Sequence, residues 1–222
     1  RVSGTIEYDA GPIVLTSISS FARRTGAFTY DGDNTICDRA AGCPNFGPPL
    51  AFGANAFALS SATQRLTDYS QELRFASSGD TRFKYLFGLF YYHNENDGID
   101  RSIVPTQAAA NAYFFPRQTV NTDAYSVFGS AGYEITDALT VTGELRYEYE
   151  EQNFTQSPTN PSGSGTLALN TTGLFDLRQT FRFATPRVIV DYKLSRGNLI
   201  YASFARGAKT GGFNTGTNVF AD

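Results

Sequence analysis

The sequence predicts an all-β fold, an antiparallel up-and-down transmembrane β-barrel wall, and three observations predict it. Segments between Val2 and Gly207 alternate apolar and polar residues. Four short turns alternate with three long polar connections. Tyrosines close several of the apolar stripes. Successive side chains on a strand point to opposite faces, so each alternating segment has one apolar and one polar side. A wall in lipid needs an apolar exterior, a polar interior, aromatic rims, short turns at one end and long loops at the other.

The elements follow in order. Strand patterns occupy 2–8, 13–23, 67–77, 82–93, 122–135, 138–151, 181–194 and 198–207. Tight turns fall at 9–12, 78–81, 136–137 and 195–198, where Gly, Pro, Asp and Asn supply the backbone angles that turns require. The connections 24–66, 94–121 and 152–180 are rich in Gly, Asn, Pro, Thr and Ala, and are read as loops. A compact soluble domain rarely carries one structureless loop beyond about 15 residues, which argues against a secreted β-sandwich.

The clearest alternation runs from Leu139 to Glu150: Val141, Leu145, Tyr147 and Tyr149 share one face, and Glu144, Arg146, Glu148 and Glu150 the other. Tyr125, Val127 and Tyr133 oppose Ser126, Ser130 and Glu134, with tyrosine at both ends of the apolar set. Leu73 and Phe75 oppose Glu72 and Arg74. The charged set, Glu72, Arg74, Glu144, Arg146 and Glu148, is assigned to the lumen, where charge is hydrated, whereas Arg or Lys facing mid-membrane lipid costs about 2–4 kcal/mol. Such ladders can pair across strands or shape a pore field. The segments 13–23, 82–93 and 198–207 are apolar on both faces and carry no orientation.

Composition limits the function classes. The chain has 222 residues, a net charge of -3 and a pI of about 5.2, which give no basis for a nucleic-acid partner. No stretch approaches the ~20 apolar residues of a spanning helix, but barrels cross with strands. There is no methionine, the chain opens directly on a strand pattern, and it stops in a Gly/Asn/Thr stretch, so an internal piece of a longer protein is expected. Cys37 and Cys43 enclose five residues and are read as a small loop disulfide, which fits an oxidising compartment. No metal or cofactor is expected: two sulfurs with no histidine beside them make a poor zinc site.

His93, the single histidine, is read as a polar residue at a strand end, and no serine is marked as its partner in a hydrolytic triad, so no enzyme is expected. Residues 206–214, RGAKTGGFN, hold glycines and cations but place Lys209-Thr210 ahead of the glycines with no helical pattern after them, which rules out a phosphate-binding loop. Arg206 and Lys209 are instead candidates to meet an anionic ligand or lipopolysaccharide. Tyr113, Phe114, Phe115 and Phe213 are candidates to grip a ferric chelate or a sugar; loop self-packing explains them equally well.

Several stretches carry a resemblance: YSQELRFAS at 69–77, FGLFYY at 87–92, YSVFG at 125–129, TDALTVTGELRY at 136–147, TPRVIVDY at 185–192 and LIYASFARGAKTGGFN at 199–214. Together, in this order, they resemble the barrel of TonB-dependent outer-membrane receptors, particularly the siderophore-receptor-like group. The resemblance implies a barrel of about 22 strands with a plugged lumen, of which residues 1–222 form the middle, with the plug domain and both barrel ends absent. It implies the outer membrane of a Gram-negative bacterium. It implies partners as well: membrane lipid and lipopolysaccharide, the TonB complex through the missing plug, and a scarce nutrient such as a ferric siderophore. The alternative is a complete eight-stranded barrel with a structural or adhesion role.

Overall fold

A computed structural model describes residues 1–31, 59–103, 113–114, 117–157, 175–195 and 197–213. Nine strands and no helix occupy these residues: β1 (Val2–Asp9), β2 (Ile13–Asp31), β3 (Leu59–Ser77), β4 (Phe83–Ile103), β5 (Tyr113–Phe114), β6 (Arg117–Glu134), β7 (Leu139–Ser157), β8 (Phe175–Ser195) and β9 (Asn198–Ala205). The eight long ones form a single meander in sequence order, and the two-residue β5 pairs with β4. Every neighbour is antiparallel. Among the described residues β1 pairs only with β2 and β9 only with β8, so these strands form an open sheet.

The short turns sit together at one end, and their chemistry is local. Gly11, Gly79 and Gly197 have φ of 86°, 85° and 92°, a region that a side chain with a β-carbon rarely adopts. Asp9 accepts a hydrogen bond from the Gly11 amide at 2.8 Å, and Thr136 Oγ1 accepts one from the Leu139 amide at 3.0 Å. These side chains do for the turn what a further backbone partner would do.

At the other end the structure corrects the sequence reading. Much of what reads as loop in 24–66, 94–121 and 152–180 is strand: β2 runs on to Asp31, β3 begins at Leu59, β4 reaches Ile103, β7 reaches Ser157 and β8 begins at Phe175. β2, β3, β4, β6, β7 and β8 have 18 to 21 residues each, about twice the 9–11 that a spanning strand needs. The extensions are mostly polar, with isolated apolar residues such as Phe28, Leu66, Phe154 and Leu177, so hydrophobic alternation fades while strand pairing continues.

The register settles the faces, including those of the three segments that sequence leaves unoriented. Odd positions of β2, β3, β4, β6 and β7 share a face with even positions of β1, β8 and β9. This outer face is the more exposed: Leu145 and Tyr147 stand clear, while Glu144, Arg146 and Glu148 on the inner face are half-buried. Leu15 and Phe21, then Phe83, Phe87 and Leu89, then Ile200 and Phe204 all join the outer face.

A row of tyrosines crosses four strands of that face. Tyr69 and Tyr91 have ring centroids 6.0 Å apart, Tyr91 and Tyr125 5.0 Å, and Tyr125 and Tyr149 6.4 Å. Eight residues down β6 from Tyr125 stands Tyr133, about 26 Å along the strand at ~3.3 Å per residue. That span matches the ~25 Å apolar band of an outer-membrane barrel. Beyond the row the outer face turns polar: Arg23, Arg65, Thr67, His93, Glu95, Asp123 and Glu151. Within the band, Gln71 and its neighbours Ser17 and Ser19 form a polar cluster. The Gln71 amide donates to Ser17 Oγ at 3.0 Å and its Oε1 accepts from Ser19 Oγ, so the neighbouring strand satisfies it.

Candidate functional site

The candidate site lies on the inner face of β6 to β9 and is built around Arg146. Its guanidinium donates to Glu148 Oε2 at 2.7 and 2.9 Å and to Ser126 Oγ at 2.9 Å, and Ser126 donates to the same carboxylate at 2.7 Å. The cation sits 5.2 Å from the Phe90 ring centroid and 5.8 Å from that of Phe128. Two phenyl faces and a carboxylate therefore hold one arginine in a single position. Phe128 in turn lies flat over Gly88, directly opposite it in the register.

The charged residues named from sequence share this face but pair differently from a cross-strand ladder. Glu72 binds Arg74, and Arg146 binds Glu148, each two residues along the same strand. Among the described residues the one cross-strand ion pair of this set is Glu144 with Arg187, at 3.6 Å. Two residues along a strand return to the same face, and a long guanidinium folds back to reach that neighbour.

A concavity of about 410 Å3 is lined here by Phe128, Glu144, Arg146, Thr185, Arg187 and Arg206, among others. Three arginines and one glutamate are among its lining residues. Arg206 and Lys209 make no ion pair among the described residues.

Just above, the chain leaves the sheet. The Arg206 amide donates to Pro186 O at 3.0 Å, but proline has no N–H to return the bond. Pairing of β9 ends at that half-made step, and residues 206–213 fold across the inner face of β7 and β8 as a strap. Gln152 Nε2 donates to Gly211 O at 3.3 Å. Phe213 stacks on Phe154 with centroids 5.7 Å apart and planes at 29°. Gly211 passes so close to Phe181 that a β-carbon would stand 2.7 Å from the ring. Beneath the strap Glu150, Gln152, Phe154 and Gln156 are buried. Gln152 donates to Glu150 Oε1 at 2.6 Å, and Gln118 to Gln156 Oε1 at 3.1 Å.

Sequence reading missed this buried row, because Gln152, Phe154 and Gln156 were assigned to a loop; their period-two spacing was the available signal. It also placed His93 at a strand end. His93 lies inside β4, and its Nδ1 meets Asp123 Oδ1 at 2.8 Å, where Tyr91 Oη also donates at 2.8 Å. Cys37, Cys43 and Phe115 lie outside the described residues, and of Tyr113 and Phe114 only the strand pairing with β4 is described. Among the described residues no group of three or more His, Cys, Asp or Glu side chains is placed to hold a metal ion.

An open antiparallel meander with one apolar face, a tyrosine rim and a charged opposite face defines a segment of transmembrane β-barrel wall. The family described as TonB dependent receptor-like, beta-barrel matches residues 4–221, and the chain belongs to it. The fold is similar to the ferric yersiniabactin uptake receptor FyuA from Yersinia pestis, with a TM-score of 0.66 and 15% identity, over 90% of this chain and 26% of that one. It is also similar to the siderophore receptor PiuA from Acinetobacter baumannii, with a TM-score of 0.56 and 14% identity, over 91% of this chain and 31% of that one. The chain thus spans between a quarter and a third of the length of these two receptors. No curated protein matches the sequence.

Proposed function

We propose that this chain is part of the barrel wall of an outer-membrane receptor that imports a scarce nutrient complex, a ferric siderophore, with uptake energised through the TonB system. The match to the receptor-barrel family over residues 4–221 carries the reading. That one structural relative is a ferric yersiniabactin uptake receptor and the other a siderophore receptor supports the choice of ligand. The outer face meets lipid and lipopolysaccharide. The inner face lines the lumen, with Glu72, Arg74, Glu144, Arg146 and Glu148 in contact with water and a plug domain. The wall belongs to a larger barrel of about 22 strands, and the receptor performs no bond chemistry.

Arg206, Lys209 and Phe213 on the strap are the ligand contacts of this reading, together with Tyr113, Phe114 and Phe115; Cys37 and Cys43 close a loop disulfide. Two unpaired cations beside an exposed glycine pair suit an anionic chelate. A complete eight-stranded barrel is disfavoured by the unpaired edges of β1 and β9.

The test is radioiron uptake in the source bacterium carrying or lacking the complete gene, with a panel of ferric siderophores under iron limitation. Uptake of at least one chelate that requires both the gene and TonB is the expected result. Uptake and growth indifferent to the gene across the panel would overturn the reading.

A further inference from the structure

Two arginines on the outer face lack the partners that their counterparts have. Above the tyrosine row Arg178 holds Glu151, Arg182 lies 5.2 Å from the Tyr149 ring centroid, and His93 meets Asp123. Arg23 and Arg65 are exposed and make no hydrogen bond, ion pair or ring contact among the described residues.

The register places them together. Arg23 is opposite Thr67, and Thr25 is opposite Arg65, so two guanidiniums occupy one diagonal of a four-residue square and two hydroxyls the other. All four project from the same face of β2 and β3, and such diagonal neighbours stand about 7–8 Å apart, within reach of one ligand for long side chains. The next step down the same face is the pair Phe21 and Tyr69; below it Gln71 is tied to Ser19 and Ser17, and the apolar column resumes with Leu73 and with Leu15 opposite Phe75. Glu95 and Asp97 lie one strand further on, opposite Thr67 and Arg65. Asp97 is buried and accepts from Thr119 Oγ1 at 3.3 Å, which leaves the β2 side of the square the more positive.

We propose that Arg23, Thr25, Arg65 and Thr67 bind the phosphate monoester of an outer-leaflet lipid headgroup, with the acyl chains lying down the column below Phe21 and Tyr69. Guanidinium forks match phosphate oxygens, and hydroxyls complete the donor set. The height fits a headgroup, since the square begins two residues above the aromatic row, where hydrocarbon gives way to the polar interface. This inference rests on the outer face being the lipid-facing one.

The experiment uses the complete receptor in non-ionic micelles, probed with bisphosphorylated lipid A, with the same lipid after enzymatic removal of its phosphates, and with inorganic phosphate. Native mass spectrometry reads bound lipid, and heat-modifiable electrophoretic mobility confirms that each variant is folded. The phosphorylated lipid is expected to bind the parent receptor and to bind R23Q/R65Q about tenfold more weakly, the loss of one or two charge-assisted contacts. The dephosphorylated lipid should bind both equally weakly, and millimolar inorganic phosphate should not displace the intact lipid. Equal binding of the two lipids, or an R23Q/R65Q variant that binds as the parent does, would overturn the site. Displacement by inorganic phosphate would reassign it to a free anion. Uptake assays on R23Q/R65Q separate the proposals: a variant that loses the lipid yet transports normally supports the headgroup site and leaves the transport reading untouched, whereas parent-like lipid binding refutes only the headgroup site.

Discussion

The ring of Phe128 lies flat on the backbone of Gly88, its cross-strand partner, with no room between them for a β-carbon. The same ring forms one wall of the Arg146 clamp at 5.8 Å. A glycine in a strand interior usually weakens it, but here its missing side chain is the space that the aromatic fills.

Gly88→Ala should therefore displace Phe128, loosen Arg146 and destabilise the barrel by about 1–3 kcal/mol, the range for overpacking a filled site. Gly143→Ala is the control, since a β-carbon there meets nothing within 4 Å. Urea unfolding of the refolded full-length barrel measures both. Equal stabilities would show that Phe128 moves aside freely.

Gln71 predicts a second effect. Its amide faces the apolar band and is satisfied by Ser17 and Ser19. The double change Ser17→Ala and Ser19→Ala should leave its Oε1 without a donor and its Nε2 with only the 3.3 Å bond to Glu72 O, at a cost of about 1–3 kcal/mol. Adding Gln71→Leu should recover most of that loss in the same unfolding assay. No recovery would mean the hydroxyls act elsewhere.

The strap offers a kinetic test. Phe213→Ala removes the stack on Phe154, which should raise amide exchange of residues 206–213 and of upper β7, and leave the Tyr125–Tyr133 span of β6 unchanged. Pro186→Ala should do the reverse at the sheet edge by supplying the amide that proline lacks, extending protection past Ala205. Exchange unchanged by both substitutions would show that neither contact holds the strap.

These contacts also show how far the sequence is legible. The span from Leu139 to Glu150 reads correctly because one face is greasy and the other charged, so period two is visible without a partner. The apolar segments 13–23, 82–93 and 198–207 could not be oriented alone; only pairing with a two-faced neighbour fixes them, as Phe87 opposite Phe75 does. The upper strands were lost because threonines, asparagines and glutamines line both of their faces, and backbone pairing leaves no hydrophobic trace. The strap was invisible for a further reason: it depends on Pro186, twenty residues away, withholding one hydrogen bond.

Acid should act on the upper outer face through Glu151. The hydrogen bond from Arg178 holds its carboxyl below the ordinary value of 4.5. A depressed folded-state pKa contributes stability that is complete above the unfolded value and is lost as pH falls through the folded one. Thermal unfolding scanned downward from pH 6 should show a small acid-side loss in the parent that is absent in Glu151→Gln. The pair is at the surface, so the difference is small; a larger acid loss in the variant than in the parent would contradict the sign.

Sidedness along β7 is the central claim, because lipid contact, lumen lining and the Arg146 clamp all depend on it. A one-residue slip would move the whole charged set to the opposite face, and Leu145→Arg in the correct register should cost about 2–4 kcal/mol near mid-membrane. The most direct measurement is labelling of single cysteines, introduced at 145 and at 146 of the full-length protein in membranes that otherwise lack reactive thiols, with a water-soluble and a lipid-phase reagent. The account predicts that position 145 reacts from the lipid phase and position 146 from water. Position 146 reached only from lipid, with 145 reached only from water, would contradict it.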